Sequence, residues 1–155
     1  MSWESEDRTA DRAHDRGRAR LLLVEDDPVT ARMYRLKLEH DGFAVRVAAD
    51  GRSGVRLALD DPPDLVLVDL RLPDLDGHGV LARLREQDAT RHVPVLVLTA
   101  LGDQAMARRS HELGAVDQMD KASTSPTMLS ARVTAVLDAL QPGWRQRAWT
   151  RDAAG

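Results

Sequence analysis

The chain has 155 residues, with 22 Lys and Arg against 25 Asp and Glu, which gives a formal net charge of -3. That balance offers no overall positive field to attract nucleic acid or an anionic membrane surface. The absence of cysteine excludes disulfides and thiolate metal sites. No apolar run reaches membrane-spanning length and no signal-peptide core opens the chain, so we expect a cytoplasmic location.

The chain begins with a polar segment that mixes acidic, basic and small residues and has almost nothing to bury. We therefore expect residues 1–18 to be a disordered extension. Strand and helix patterns then alternate, which predicts one domain over residues 19–140. Residues 141–155 remain as a C-terminal tail that carries two tryptophans and three arginines.

The first strand–helix unit shows the pattern clearly. An apolar strand over about 20–24 leads to a helix with Asp27 as its N-cap and Pro28 at its first position. In that helix Val29, Met33 and Leu36 recur at helical spacing. The later predicted elements are a strand over 43–48, a helix over 51–59, a strand over 65–68, a helix ending near 87, a strand over 93–98, a helix over 103–113, a strand over 115–119 and a helix that begins after Ser125.

Five such units predict an α/β fold built on a parallel sheet. The first, third and fourth strands are continuously apolar, as expected for strands that helices cover on both faces. The fifth strand carries Asp117, Gln118 and Asp120, a composition that suits the edge of a sheet.

Chemically active residue types follow the ends of these strands. Glu25 and Asp26 come directly after the first strand, and Asp69 comes after the third. Thr99 follows the fourth strand and Lys121 follows the fifth. Because the carboxyl ends of the strands in an open parallel sheet form one edge, where ligands bind, we expect these side chains to meet in one cleft. Three acids, a hydroxyl and an amine can together hold a divalent cation and a phosphoryl group.

In order and spacing these residues resemble those of a response-regulator receiver domain of two-component signalling, of the chemotaxis-regulator type. The resemblance covers about residues 20–140, and the gaps from Asp26 to Asp69, on to Thr99 and on to Lys121 are 43, 30 and 22 residues. It implies a flavodoxin-like, doubly wound sheet of five parallel strands in the order 2-1-3-4-5, with five helices.

The resemblance also implies a metal site. Asp69 would be the phospho-acceptor and would contribute a ligand to Mg²⁺ or Mn²⁺. Asp26 would bind the cation directly, and Glu25 would act mainly through water. The backbone carbonyl of Arg71 would complete the protein ligands. The charges support this set, because three neighbouring carboxylates repel one another and a hard, oxygen-preferring dication relieves the repulsion.

A second group of residues is implied to contact the phosphoryl group. Thr99 would donate its hydroxyl and Lys121 its ammonium, and the backbone N–H groups near Leu70 and Ala100 would bind phosphoryl oxygens. Such donors stabilise the charge that builds up during transfer. The product on Asp69 would be an acyl phosphate, which water hydrolyses. We therefore expect the domain to catalyse its own phosphorylation and dephosphorylation.

Two residues depart from the family pattern. The family usually has proline after its lysine, with a cis peptide bond between them, but here Ala122 follows Lys121. Because a cis bond before a non-proline residue costs about 2.5–4 kcal/mol, we predict a trans bond. Gln118 stands where many members carry an aromatic residue that moves with the threonine hydroxyl. A glutamine can still hydrogen-bond and change conformer, so Thr99 and Gln118 are the candidate switch residues.

The resemblance implies a sensor histidine kinase or a histidine phosphotransfer protein as the phosphodonor. A downstream protein could bind at helix 4, strand 5 and helix 5, or at the C-terminal tail, since aromatic and arginine side chains are enriched in interfaces. The tail could instead fold back on the domain. Only about 15 residues follow helix 5, too few for a DNA-binding domain, so we expect a single-domain regulator with no membrane partner.

Two other functions compete with this interpretation. A pseudo-receiver would keep the fold as a constitutive protein-interaction module with impaired switching. Ala122 and Gln118 favour that alternative, whereas the intact acids, Thr99 and Lys121 oppose it. A metabolite phosphatase of the haloacid-dehalogenase type has a second aspartate two residues after its nucleophile, where this chain has Arg71. We therefore expect no metabolic enzyme.

Overall fold

The computed structural model describes residues 17–100 and 104–146. The strands are β1 (Arg20–Val24), β2 (Ala44–Ala48), β3 (Leu65–Asp69), β4 (Val95–Thr99) and β5 (Asp117–Asp120). The α-helices are α1 (Pro28–His40), α2 (Gly51–Asp60), α3 (Gly77–Glu86), α4 (Ala107–Glu112) and α5 (Pro126–Leu140). A 3-10 turn, Gln104–Met106, leads into α4, which is shorter than predicted.

The five strands form one parallel sheet in the order β2-β1-β3-β4-β5. This confirms the predicted flavodoxin-like fold. The register pairs Val24 with Val68, Asp69 with Leu98, and Thr99 with Asp120. The carboxyl ends of the three central strands and of β5 therefore lie side by side, and the residues that follow them share one edge.

Two apolar clusters cover the two faces of the sheet. Alternate strand residues such as Leu21 and Leu23 belong to the cluster that includes α1 and α5. Their neighbours Leu22 and Val24 belong to the cluster that includes α2 and α3. Burial on both faces explains why the central strands are continuously apolar. No helix in residues 17–100 and 104–146 is both long and apolar enough to cross a membrane.

Helix α1 begins as the sequence predicts, but its recurring apolar residues lie outside the core. Asp27 caps the helix by accepting a hydrogen bond from the backbone N–H of Thr30 at 3.1 Å. Val29, Met33 and Leu36 are 76%, 45% and 56% exposed, and we call them the α1 apolar stripe. The opposite side of the helix enters the core through Ala31, Tyr34 and Leu38.

The part of the tail that the structure describes folds back on the domain. The Trp144 and Phe43 rings stack with centroids 5.8 Å apart, and the Trp144 Nε1–H donates to Asp138 at 2.8 Å. The Arg145 guanidinium lies 4.6 Å from the centre of the Trp144 ring. The sequence left two possibilities for the tail, a partner surface or folding back on the domain. For Trp144 the structure shows the second. The predicted disordered extension, apart from residues 17 and 18, and the end of the tail from residue 147 lie outside the described residues.

Candidate functional site

Three carboxylates meet at the carboxyl edge of the sheet. Glu25 and Asp26 follow β1, and Asp69 is the last residue of β3. One carboxylate oxygen from each lies within 4.8 Å of the others. Glu25 and Asp69 are 1% and 4% exposed, whereas Asp26 is exposed at the surface. The predicted acid cluster is therefore present, with two buried members and one at its mouth.

Lys121 reaches this cluster from the end of β5. Its Nζ donates to Asp69 Oδ2 at 2.7 Å and also to Glu25 Oε1. No peptide bond in the described ranges is cis, so the bond between Lys121 and Ala122 is trans, as predicted. The lysine thus pairs with both buried acids without the proline that usually follows it in the resembled family.

The protonation of the cluster follows from its burial. Loss of solvent, reinforced by the neighbouring Asp69, raises the pKa of Glu25 to about 7, although Lys121 acts in the opposite direction. Burial acts to lower the pKa of Lys121, but its hydrogen bonds to Asp69 and Glu25 outweigh burial and hold that pKa above its usual value. Lys121 is therefore a cation at neutral pH, and Glu25 titrates near neutrality in the metal-free protein.

The backbone around Asp69 differs in one respect from the prediction. The Leu70 N–H donates to the Leu98 carbonyl at 3.0 Å, continuing the ladder between β3 and β4, so it is not available to a phosphoryl group. The Arg71 N–H instead points to Asp69 Oδ1 at 3.1 Å. The structure therefore does not leave the Leu70 N–H for the predicted role, because successive N–H groups of an extended chain point to opposite sides and this one points to β4. Ala100 directly follows Thr99 at the same edge.

Thr99 lies at the edge, and its hydroxyl is bound to the neighbouring strand. The residue is 1% exposed, and its hydroxyl donates to the Met119 carbonyl on β5 at 3.2 Å. Because a hydroxyl has one proton, donation to a phosphoryl group would require it to release that β5 carbonyl.

Gln118 takes part in a chain of side-chain hydrogen bonds that sequence reasoning missed. The Ser110 hydroxyl donates to Gln118 Oε1 at 2.6 Å, and His78 Nε2 lies 2.8 Å from the same hydroxyl oxygen. Because serine has one hydroxyl proton, which it gives to Gln118, His78 Nε2 is the donor to Ser110. Ser110 is 1% exposed, and burial lowers the pKa of His78. The chain links α3, α4 and β5, and no sequence motif marks it.

The loop after Asp69 is held by a second acid that the sequence did not single out as functional. Asp74 accepts hydrogen bonds from the backbone N–H groups of Gly51 and Arg52 at 2.8 and 3.0 Å, which ties the loop to the start of α2. The Gly77 N–H donates to the Leu70 carbonyl at 3.0 Å. These contacts fix the backbone on both sides of Arg71, whose N–H contacts Asp69.

Comparison with known proteins supports the same class. The family model described as the response regulator receiver domain matches residues 21–133. The DNA-binding dual master transcriptional regulator RpaA of Synechocystis sp. is 41% identical over 118 residues, which are 76% of this chain and 48% of that protein.

Solved structures agree with the family match. The signal receiver domain of a signal transduction histidine kinase from Syntrophus aciditrophicus gives a TM-score of 0.72 at 31% identity, covering 80% of this chain and 93% of that chain. Chemotaxis protein CheY4 of Vibrio cholerae gives a TM-score of 0.72 at 26% identity, covering 77% of this chain and 99% of that chain.

The chain therefore belongs to the response-regulator receiver family of two-component signalling. The pseudo-receiver alternative finds no support in these comparisons. The chain spans half or less of the length of the curated relatives named here, 48% of RpaA and 25% of the response regulator PleD of Caulobacter vibrioides. The activities of those larger proteins therefore do not transfer to this chain by similarity alone.

Proposed function

We propose that this domain accepts a phosphoryl group on Asp69 from the phosphohistidine of a sensor kinase or phosphotransfer protein, in a reaction that needs Mg²⁺ or Mn²⁺, and then signals through a protein partner. The observation that carries the proposal is the contact of Lys121 with both buried acids, Glu25 and Asp69, beside an exposed Asp26. This set of residues combines a nucleophile, a cation and a place for a metal ion.

The chemistry is a group transfer between two nucleophiles. A carboxylate oxygen of Asp69 forms a bond to phosphorus while the bond from phosphorus to the donor atom breaks, and the donor leaves with that electron pair. The Lys121 ammonium and the Arg71 N–H both contact Asp69, and in this mechanism they would stabilise the negative charge that collects on the phosphoryl oxygens. Hydrolysis of the acyl phosphate by water returns Asp69 to its starting state.

The donor set suits a hard dication. Glu25, Asp26 and Asp69 offer carboxylate oxygens, the ligand type that Mg²⁺ takes in proteins, and the Arg71 carbonyl is the proposed fourth oxygen. The described residues also offer an exposed carboxylate, Asp26, at which a partly hydrated ion can enter. When bound, the ion would neutralise charge on the transferred group.

The first test is phosphorylation by a small donor. Incubation with acetyl phosphate and Mg²⁺ is expected to add one phosphoryl group to the parent protein, because the site itself supplies the catalytic groups. Asp69→Ala is expected to gain none. Intact-protein mass spectrometry measures the gain, and removal of Mg²⁺ with a chelator should prevent it.

Failure of this experiment is informative. If neither protein gains mass although the parent is folded, the domain is a pseudo-receiver and the proposal is wrong. If Asp69→Ala gains the same mass as the parent, another residue is the acceptor.

The metal affinity is expected to rise with pH. The folded-state pKa of Glu25, about 7, lies above its ordinary value of 4.5, so the native state holds an extra proton between these values. The stability of the metal-free protein should therefore fall as pH rises through this window. Because bound carboxylates must be deprotonated, affinity for Mg²⁺ should rise roughly 25-fold from about pH 5.5 to about pH 7.5.

Isothermal titration with Mg²⁺ at several pH values measures this dependence. Glu25→Gln cannot titrate, and its Mg²⁺ affinity should be weaker but nearly constant over the same range. A parent protein with constant affinity across this range would show that Glu25 does not compete for protons at the metal site.

The α1 apolar stripe is the proposed contact for the protein phosphodonor. Val29, Met33 and Leu36 are exposed on a helix that begins directly after Asp26 and Asp27, so the stripe runs away from the acid cluster. Exposed apolar residues beside a reactive site suit a partner that brings an apolar helix face to it.

Disruption of the stripe should separate the two kinds of donor. With a histidine kinase chosen for its transfer to the parent, Leu36→Glu is expected to accept phosphoryl groups about tenfold more slowly. With acetyl phosphate the rate should not change. Leu59→Glu, a matched change at an exposed leucine on α2, should leave both rates intact. Equal slowing with both donors would contradict a docking role.

We propose that the phosphorylated state is read out at α4, β5 and α5. The Thr99 hydroxyl donates to the Met119 carbonyl. Gln118, which precedes Met119 on β5, accepts a hydrogen bond from Ser110 of α4. Rotation of Thr99 towards a phosphoryl group would disturb β5 beside Gln118, and this supports both residues as switch residues.

The part of the tail beyond residue 146 remains a second proposed partner surface, and we propose a cytoplasmic location for the protein.

A further inference from the structure

We propose that Asp120 is a positioning residue for Lys121, in a chain that has Ala122 where the family usually has proline. The inference rests on the proposed phosphoryl transfer to Asp69. Asp120 is the last residue of β5 and Lys121 is the next residue. A contact that fixes Asp120 therefore also fixes the backbone from which the Lys121 side chain starts.

The Asp120 side chain closes a turn over the lysine. Its Oδ1 accepts the backbone N–H of Ala122 at 2.9 Å, so the carboxylate bridges the residue between them. The Ser123 N–H donates to the Asp120 carbonyl at 3.2 Å. The Lys121 N–H donates to the Thr99 carbonyl at 2.8 Å, which ties the same turn to β4.

Ala122 is the residue that makes this turn possible. Proline has no backbone N–H, so a proline at position 122 could not donate to Asp120. The alanine therefore exchanges the rigidity of a proline ring for a hydrogen bond that its N–H donates to the neighbouring acid. Asp120 and Ala122 act as a pair, and the trans bond between Lys121 and Ala122 belongs to the same arrangement.

The far side of the loop is anchored as well. Tyr34, which is 1% exposed on the inner side of α1, donates its hydroxyl to the Thr124 carbonyl at 3.3 Å. Ser125 then caps α5 by accepting the Met128 N–H at 3.1 Å. The loop between β5 and α5 is therefore fixed at Asp120 and at Thr124.

The position of the loop matters because lysine is a point charge on a flexible stem. Its Nζ must stay near Asp69 Oδ2 and Glu25 while phosphorus approaches a carboxylate oxygen of Asp69. A displacement of about 1 Å in a positioning group can cost about 100-fold in rate. Asp120 limits such a displacement without itself contacting the reacting atoms.

The experiment compares phosphorylation rates with acetyl phosphate and Mg²⁺ in full-chain variants. Asp120→Ala, which loses the acceptor, is expected to react about tenfold more slowly than the parent. Asp120→Asn keeps an oxygen that accepts the Ala122 N–H and should stay within about twofold of the parent. Amide hydrogen exchange of Ala122, followed by NMR, should be faster in Asp120→Ala only.

A double-mutant cycle with Lys121→Met distinguishes positioning from a general structural effect. If Asp120 acts through the lysine, Asp120→Ala should cause no further slowing in the Lys121→Met protein. A further tenfold loss there would overturn the proposal, as would an asparagine variant as slow as the alanine variant or an alanine variant as fast as the parent. A parent that gains no phosphoryl group would overturn the proposed function itself, and this inference with it.

Discussion

Lys121→Met is expected to lower the free energy of unfolding of the metal-free protein by about 3 kcal/mol at about pH 8. The substitution leaves Glu25 and Asp69 buried, side by side and without their cation. Removing one partner of a buried ion pair is costly because the remaining charge has neither water nor a counterion. Urea unfolding followed by circular dichroism measures the change.

A surface lysine and added Mg²⁺ provide two controls for the Lys121→Met protein. Lys37→Met removes a lysine that pairs with Asp41 at 3.2 Å on the surface of α1, where both side chains are about 30% exposed, and it should cost less than about 1 kcal/mol. Added Mg²⁺ should return much of the stability lost by Lys121→Met, because the ion supplies the missing positive charge. Equal losses in the two variants would show that Lys121 is a surface lysine in solution.

Gly77→Ala is expected to lower the free energy of unfolding by about 3 kcal/mol. A Cβ at this buried position would lie 2.5 Å from the Asp69 carbonyl oxygen and 2.8 Å from the Leu70 Cα. Both are backbone atoms of the segment that holds the phospho-acceptor, and backbone cannot rotate aside as a side chain can. We expect reduced phosphorylation of the folded fraction as well as lower stability.

Gly79→Ala, two residues further along α3, is the matched control. There a new Cβ would meet the end of the Leu75 side chain, at 2.5 Å from Cδ1, and that end can move. Alanine also favours the helix by up to about 1 kcal/mol over glycine. Stability should therefore change by no more than about 1 kcal/mol. Thermal unfolding measures the stability of both variants. Equal losses of stability would contradict the role given to Gly77.

The sequence predicted the fold and the acid cluster because both depend on features that sequence displays. Runs such as Leu65 to Val68 are apolar throughout only where helices cover both faces of a sheet. The residues after such runs must then share an edge. This argument predicted that Glu25, Asp69 and Lys121 lie close together. In the structure Lys121 contacts both acids.

Other contacts could not be predicted because they depend on how elements pack. Ser110 sits in a short helix with no pattern that marks it as the centre of a hydrogen-bond chain, yet packing places it between His78 and Gln118. The Leu70 N–H is not free for a ligand because it donates to the Leu98 carbonyl of β4. Pairing between strands fixes which backbone groups remain available, and a single sequence does not display it.

The two sides of α1 show the same limit. Apolar residues occupy both sides of this helix, so periodicity alone could not separate the stripe of Val29, Met33 and Leu36 from the buried side with Tyr34 and Leu38. The sequence supplied the helix and its cap at Asp27, and the packing of α1 against the sheet determined which side faces solvent.

The stack of Trp144 on Phe43 gives the domain an internal optical probe. Phe43 precedes the first residue of β2, at the amino edge of the sheet, whereas the acids lie at the carboxyl edge. Indole emission from this position depends on whether the segment after α5 stays docked on Phe43. With Trp3 and Trp149 replaced by phenylalanine, the remaining fluorescence would report unfolding and the docking of the segment after α5, at the edge of the sheet opposite the acids.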